Sequence, residues 1–127
     1  MSNIKDRLNK DLKWIVETLK TDQYTIYGAI SKLENCMIFI ISKDGFRFGS
    51  LAISVPSIRN ENSHYPSSTT IPIIFGKKNE ILSRALSERV CYKTNQLVIS
   101  IVNIDEKNQN MVKDCITLIN KLLDKIK

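Results

Sequence analysis

The sequence is poor in the residues that build disulfide frameworks, metal sites and catalytic centres. Its 127 residues include three cysteines, one histidine and four glycines. Cys36, Cys91 and Cys115 are odd in number and far apart, which argues against a secreted disulfide scaffold. No two of them have the spacing of zinc ligands, and a single histidine cannot complete such a site. We therefore expect three small core residues, with no metal or other cofactor.

Long apolar runs are also missing. No stretch approaches the ~18 apolar residues that a membrane-spanning helix requires. The charged N-terminal segment Met1–Arg7 lacks the apolar run of a signal peptide. The sequence therefore predicts no membrane association and a cytoplasmic location, with the nucleus as a further possibility.

No arrangement of residues indicates catalysis. His64 lies between Ser63 and Tyr65 in a polar segment that offers neither rigid geometry nor an orienting carboxylate. The segment Gly45–Gly49 contains two glycines, but it lacks the spacing of a phosphate-binding loop and does not open a helix. We predict that the chain is not an enzyme.

Positive charge is in excess. The 19 Lys and Arg residues against 13 Asp and Glu residues give a formal net charge of +6. These cations alternate with acidic residues along the expected helices, and no basic run with interspersed aromatics marks a nucleic-acid surface. We predict no nucleic-acid partner. A basic nucleic-acid-binding domain remains an alternative function, and its binding would weaken steeply with salt.

The hydrophobic pattern predicts a single α+β domain over residues 1–127. An antiparallel β-sheet of about five strands packs with two or three α-helices, in the order α-β-β-β-β-α-β-α. A polar segment at 57–70 is predicted to be a mobile loop. The predicted helices are Asn3–Lys20, a helix from Lys78 to the turn at Lys93–Asn95, and one from Asp105 or Asn108 to Ile126. The predicted strands are Tyr24–Leu33, Cys36–Ile41, Phe46–Val55, Thr70–Phe75 and Leu97–Asn103.

Two of these strands have no polar face. Cys36–Ile41 and Leu97–Val102 are almost entirely apolar, which is typical of strands covered on both sides. The chain's own helices can cover one side. For the other side two interpretations stay open: the N-terminal helix Asn3–Lys20 covers it, or a partner chain does. The middle helix is predicted to bury Ile81, Leu82, Ala85, Leu86 and Val90, and to expose Glu80, Ser83, Arg84, Ser87 and Glu88.

The segment from Leu86 onward resembles a known family. Leu86–Val90, then Tyr92–Gln96, then the apolar strand to Asn103 are similar to the proteasome assembly chaperone 4 family. The resemblance extends from about Tyr24 to the C-terminal helix, whereas the N-terminal helix and the long polar loop depart from it. It implies a non-enzymatic chaperone that pairs with a sister chaperone and holds an α-type subunit while the proteasome core-particle α-ring is built.

The resemblance also implies how the second face of the sheet is covered. A sister chaperone would occupy it in a heterodimer, and a second copy would occupy it in a homodimer when the chain is alone. Strand alternation predicts Phe46, Phe48, Ala52, Val98 and Val102 as the residues that face the partner. The competing function is an adaptor of longin- or roadblock-like type. A roadblock domain places its long helix in mid-sheet, whereas a run of predicted strands precedes the long helix here.

Overall fold

The computed structural model describes residues 13–56, 69–75 and 79–126. Two helices and six strands are present in this part of the chain, which confirms the predicted α+β class. The strands are Trp14–Lys20 (β1), Thr25–Lys32 (β2), Cys36–Lys43 (β3), Ser50–Val55 (β4), Thr69–Phe75 (β5) and Leu97–Asn103 (β6). The helices are Glu80–Thr94 (α1) and Gln109–Ile126 (α2).

The six strands form one sheet in the order β1-β2-β3-β6-β4-β5. Strand β6 lies between β3 and β4, parallel to β3 and antiparallel to β4, so the sheet is mixed rather than purely antiparallel. Strands β3 and β4 follow each other in the sequence but do not pair, and the strand predicted over Phe46–Val55 begins only at Ser50. Strand β6 is apolar on both sides, and a central position pairs both of its edges. The connection from Asp44 to Gly49 carries the chain across the end of β6.

Strand β1 occupies residues that were expected to be helical. A helix is predicted over Asn3–Lys20, but Trp14–Lys20 pairs with β2 in antiparallel register; residues 3–12 lie outside the described residues. Ile15 and Leu19 satisfy both the four-residue spacing of a helix and the two-residue spacing of a strand. The β-branched residues of this segment and the free edge of β2 favour the strand.

Strand β5 begins within the segment that was predicted to be a loop at 57–70. Thr69 and Thr70 pair with Val55 and Ser54 of β4. Residues 57–68 lie outside the described residues, so the loop prediction for them stays a prediction. Threonine is a common strand residue, and its presence at both positions is compatible with this earlier start.

Both helices pack on the same face of the sheet, which we call the helix face. Helix α1 lies on β4 and β6, and α2 lies on β1 and β2. Gly28 allows the close approach of α2, because a Cβ atom at this position would lie 2.9 Å from Leu118 Cδ2. The largest fully buried side chains are Phe39, Ile26, Ile30, Met37, Ile41, Leu86, Ile104, Leu118, Ile119, Leu122, Val90 and Val98.

Helix α1 is rotated relative to the predicted orientation. Ser83 and Ser87 are fully buried, whereas Ile81 is 81% exposed and Ala85 is also exposed. The reason lies in β4, whose helix-facing residues are small. The hydroxyl groups of Ser50 and Ser83 form a hydrogen bond at this contact. Small side chains on both elements let α1 approach the sheet closely, and a branched residue in place of Ser83 would force it away.

The N-terminus of α1 is anchored to the chain that follows β6. Asn79 adopts a left-handed conformation with φ 63° and is 4% exposed. Its side-chain amide donates to Ile104 O at 2.8 Å and accepts from Ile104 N at 2.9 Å. Glu106 Oε1 accepts the backbone N–H of Leu82. At the other end, α1 stops at the predicted turn Lys93–Asn95, where Asn95 is left-handed with φ 54°.

Candidate functional site

The sheet has a second face on which neither of the two described helices lies. The register places Ile38 and Ile40 of β3 beside Ile99 and Ile101 of β6, and these beside Ile53 and Leu51 of β4. Their neighbours in sequence, such as Phe39 and Val98, point to the helix face and are fully buried. The six residues are partly exposed. We call this surface the open face.

The open face is apolar over most of its area. Strands β1 to β4 and β6, which are about 4.8 Å apart and each about 20 Å long, give a surface of roughly 500 Å². Apolar patches of this size on a monomer often mark interaction sites. On β1 to β4 and β6, the residues that point to this face include no carboxylate. They are Trp14, Val16, Thr18, Lys20, Thr25, Tyr27, Ala29, Ser31, Cys36, Ile38, Ile40, Ser42, Leu51, Ile53, Val55, Leu97, Ile99, Ile101 and Asn103.

Several large apolar side chains on the open face, or in the connection from β3 to β4, are exposed. Trp14 and Val16 of the edge strand β1 are 42% and 52% exposed. In the connection from β3 to β4, Phe46 and Phe48 are 51% and 58% exposed. The ring of Phe46 contacts that of Tyr27 with centroids 5.8 Å apart, which places Phe46 at the border of the open face. Aromatic residues of this kind frequently supply the main binding energy of protein interfaces.

The five residues predicted to face a partner separate into two groups. Phe46 and Phe48 are both exposed, and the contact with Tyr27 places Phe46 at the border of the open face. The role of both residues in binding stays a prediction. Ala52, Val98 and Val102 are fully buried on the helix face, beneath α1. For these three the predicted orientation is wrong. The surface residues of the same strands are their neighbours, such as Leu51, Ile53, Ile99 and Ile101.

The wrong orientation has a physical reason. In β6 both alternating sets of residues are apolar, so alternation cannot tell which set faces the helices. In β4 the set Ser50, Ala52 and Ser54 looks suited to an accessible surface because it is small and partly polar. The structure uses its small size for close packing with α1 instead. The buried serines of α1 were the available signal, because Ser83 and Ser87 recur at the spacing of one helical face.

The residues that carry the family resemblance lie at the C-terminal end of α1. Arg89 Nε donates to Asn120 Oδ1 of α2 at 2.9 Å, and Thr94 Oγ1 donates to Val90 O at 2.7 Å. A cavity of about 300 Å³ opens here between the ends of the helices. It is lined by Arg89, Lys93, Thr94, Asn120, Leu123, Asp124 and Ile126. A second cavity of about 160 Å³ shares Lys93, Thr94 and Ile126 and adds Lys32, Met37 and Gln96.

Three residues have clearly shifted pKa values, and each shift has a structural cause. Hydrogen bonding to Asp114 raises the pKa of Tyr24 to about 12. Burial raises the pKa of Cys115 to about 12 and also raises the pKa of Cys36. Among the residues that the structure describes, no group of three His, Cys, Asp or Glu residues is placed to hold a metal ion. His64 lies outside these residues.

No helix in the described ranges is long and apolar enough to cross a membrane. The charges near the helix ends are mostly exposed, and one ion pair joins Lys125 of α2 to Glu17 of β1. This pair links the C-terminal helix to the edge strand.

Comparison with known proteins gives a match in structure. No protein family model and no curated protein matches the sequence. Nine chains of solved structures are significantly similar. One belongs to the crystal structure of "a Novel Chaperone Complex for Yeast 20S Proteasome Assembly", with a TM-score of 0.59 over 89% of this chain and 98% of that chain. The two chains share a fold. Their sequences are 13% identical, so the likeness establishes the architecture alone.

Proposed function

We propose that this chain is a non-enzymatic chaperone of proteasome assembly and that it acts as one half of a two-chain complex. The supporting observation is the open face, an apolar sheet surface on a fold shared with a chain of a yeast 20S proteasome assembly chaperone complex. The sequence around Arg89–Asn95 resembles the same class of chaperone. The complex would hold an α-type subunit of the core particle during assembly of the α-ring.

The open face is suited to a partner because of its size and chemistry. A standard interface buries about 800 Å² on each partner. The sheet surface of roughly 500 Å² supplies more than half of this area, and the exposed ring of Phe46 at its border extends it. A second sheet can pack on such a surface at about 10 Å, with side chains interdigitating as in a β-sandwich. A sister chaperone with a matching apolar face is the proposed occupant.

Co-expression tests both parts of the proposal. The chain is produced with a candidate sister chaperone and with proteasome α-type subunits, and the complexes are measured by size-exclusion chromatography with light scattering. We expect a heterodimer and a ternary complex with one α-type subunit. If no α-type subunit associates at micromolar concentration, with or without the sister chain, the assignment is wrong.

Matched variants test the surface. Ile101→Glu places a charge on the open face and is expected to abolish pairing. Ile81→Glu introduces the same change at a residue that is 81% exposed on α1 and should leave pairing intact. Equal behaviour of the two folded variants would exclude the open face as the pairing surface.

A further inference from the structure

The ends of the two helices and of the sheet form a groove whose chemistry is unlike that of the open face. The two cavities described above adjoin through Lys93, Thr94 and Ile126, and we call them together the basic groove. Its side chains supply three cations, Lys32, Arg89 and Lys93, against one carboxylate, Asp124. We propose that the basic groove binds a short acidic peptide segment of a protein partner in extended conformation.

The charges of the groove are positioned by the fold. Asn120 of α2 accepts a hydrogen bond from Arg89 Nε and so holds the guanidinium at the groove. Lys93 is exposed in the last turn of α1 and lines both cavities. Lys32 lies at the end of β2, on the far side of the second cavity. Carboxylates of a peptide lying along the groove would therefore meet a cation at each end.

The C-terminal ends of both helices border the groove, and each helix dipole contributes about half a negative charge there. The three cations of the groove exceed its single carboxylate by two charges, so the groove stays positive in spite of the two dipoles.

The floor of the groove indicates a peptide rather than a simple anion. Ile126 is partly exposed in the groove and offers apolar surface on which an aliphatic side chain can pack, while Met37 and Leu123 are buried behind it. Gln96 lines the second cavity and is partly exposed, so its side-chain amide can hydrogen-bond to the backbone of an extended peptide. A nucleic acid is disfavoured, since no aromatic side chain lines either cavity for base stacking.

The inference does not rest on the proposed function, because the groove lies on the helix side of the molecule and its test needs no proteasome subunit. The probe is a fluorescein-labelled octapeptide that alternates glutamate and leucine, titrated with the full chain by fluorescence polarisation. The comparison probes are the same peptide with glutamine in place of glutamate, and a single-stranded oligonucleotide of eight thymidines. We expect the glutamate peptide to bind and both comparison probes to bind at least about tenfold more weakly.

Variants locate the binding. Arg89→Glu with Lys93→Glu is expected to weaken binding of the glutamate peptide about tenfold or more. Lys113→Glu with Lys107→Glu makes the same change in charge at residues that do not line the groove, and it should have a smaller effect. Circular dichroism checks that each variant is folded.

Three results would overturn the proposal. The first is an absence of binding at millimolar protein concentration. The second is an equal loss of binding in the two double variants, which would indicate attraction by net charge alone. The third is tighter binding of the oligonucleotide than of the peptide, which would favour a nucleic-acid site.

Discussion

The assignment of the two sheet faces makes a sharp prediction for two neighbouring residues. Val98 is fully buried beneath α1, and Ile99 is partly exposed on the open face. Glutamate at position 98 would place a carboxylate in an apolar contact with no cation described beside it. Glutamate at position 99 can extend its carboxylate into solvent.

The two variants are expected to lose different amounts of folding free energy, with a severalfold larger loss for Val98→Glu. Val98→Glu loses the ~2 kcal/mol of burying the valine and adds several kcal/mol for a buried carboxyl group. The total exceeds about 4 kcal/mol, a large part of the roughly 5–15 kcal/mol that stabilises a domain. Ile99→Glu loses only part of the isoleucine burial, or about 1–2 kcal/mol.

Urea unfolding of the isolated chain, followed by far-ultraviolet circular dichroism, measures both values. We expect Val98→Glu to be unfolded or barely folded and Ile99→Glu to unfold cooperatively at a somewhat lower midpoint. A greater loss of stability for Ile99→Glu than for Val98→Glu would show that the faces have been assigned the wrong way round. The same Ile99→Glu variant, if folded, should fail to pair with a sister chaperone.

Three further predictions concern stability. Asn79→Ala should cost about 3–5 kcal/mol, because it strains a left-handed residue and leaves the N–H and C=O of Ile104 unpaired; thermal unfolding of Asn79→Gly separates the two contributions. Ser87→Ala should leave stability unchanged or raise it by up to about 1 kcal/mol, because the buried hydroxyl of Ser87 has no partner among the described residues. Ser83→Ala should lower the midpoint of urea unfolding, because it leaves the buried hydroxyl of Ser50 without its partner. The pKa of Cys115 is raised from 9.0 to about 12, so the buried neutral thiol stabilises the fold fully below pH 9.0, and this stabilisation is lost as the pH rises toward 12. The melting temperature of the wild-type chain should therefore fall over this range, and Cys115→Ala should make the fall less steep. An unchanged slope would contradict the raised pKa of Cys115.

Local sequence determined the elements more securely than their arrangement. The apolar runs in β3 and β6, the helical repeat of α2 and the left-handed turn at Asn95 each follow from a few neighbouring residues, and all are present in the structure. In β3 and β6 the residues of both alternating sets are mostly apolar. The sequence alone therefore established that the sheet is apolar on both faces.

The arrangement depended on contacts between distant residues. Whether β6 pairs beside β3 or at an edge is decided by which strand edges are free, and this is a property of the whole sheet. The same holds for β1, whose residues 14–20 fit a helix and a strand equally well until β2 presents an edge. The orientation of α1 depended on the small residues of β4, more than 25 positions away in the sequence.

The candidate sites likewise contain some residues that the sequence could suggest and others that only the fold identifies. Phe46 and Phe48 were predicted as partner contacts from strand alternation, but they lie in the connection before β4, and their role in binding stays a prediction. The choice between Val98 and Ile99 was not available from the sequence, since both are β-branched and apolar. Only packing of α1 on one side of β6 makes one of them core and the other surface. Likewise, Lys32, Arg89 and Lys93 come together only because β2, α1 and α2 end at the same edge of the molecule.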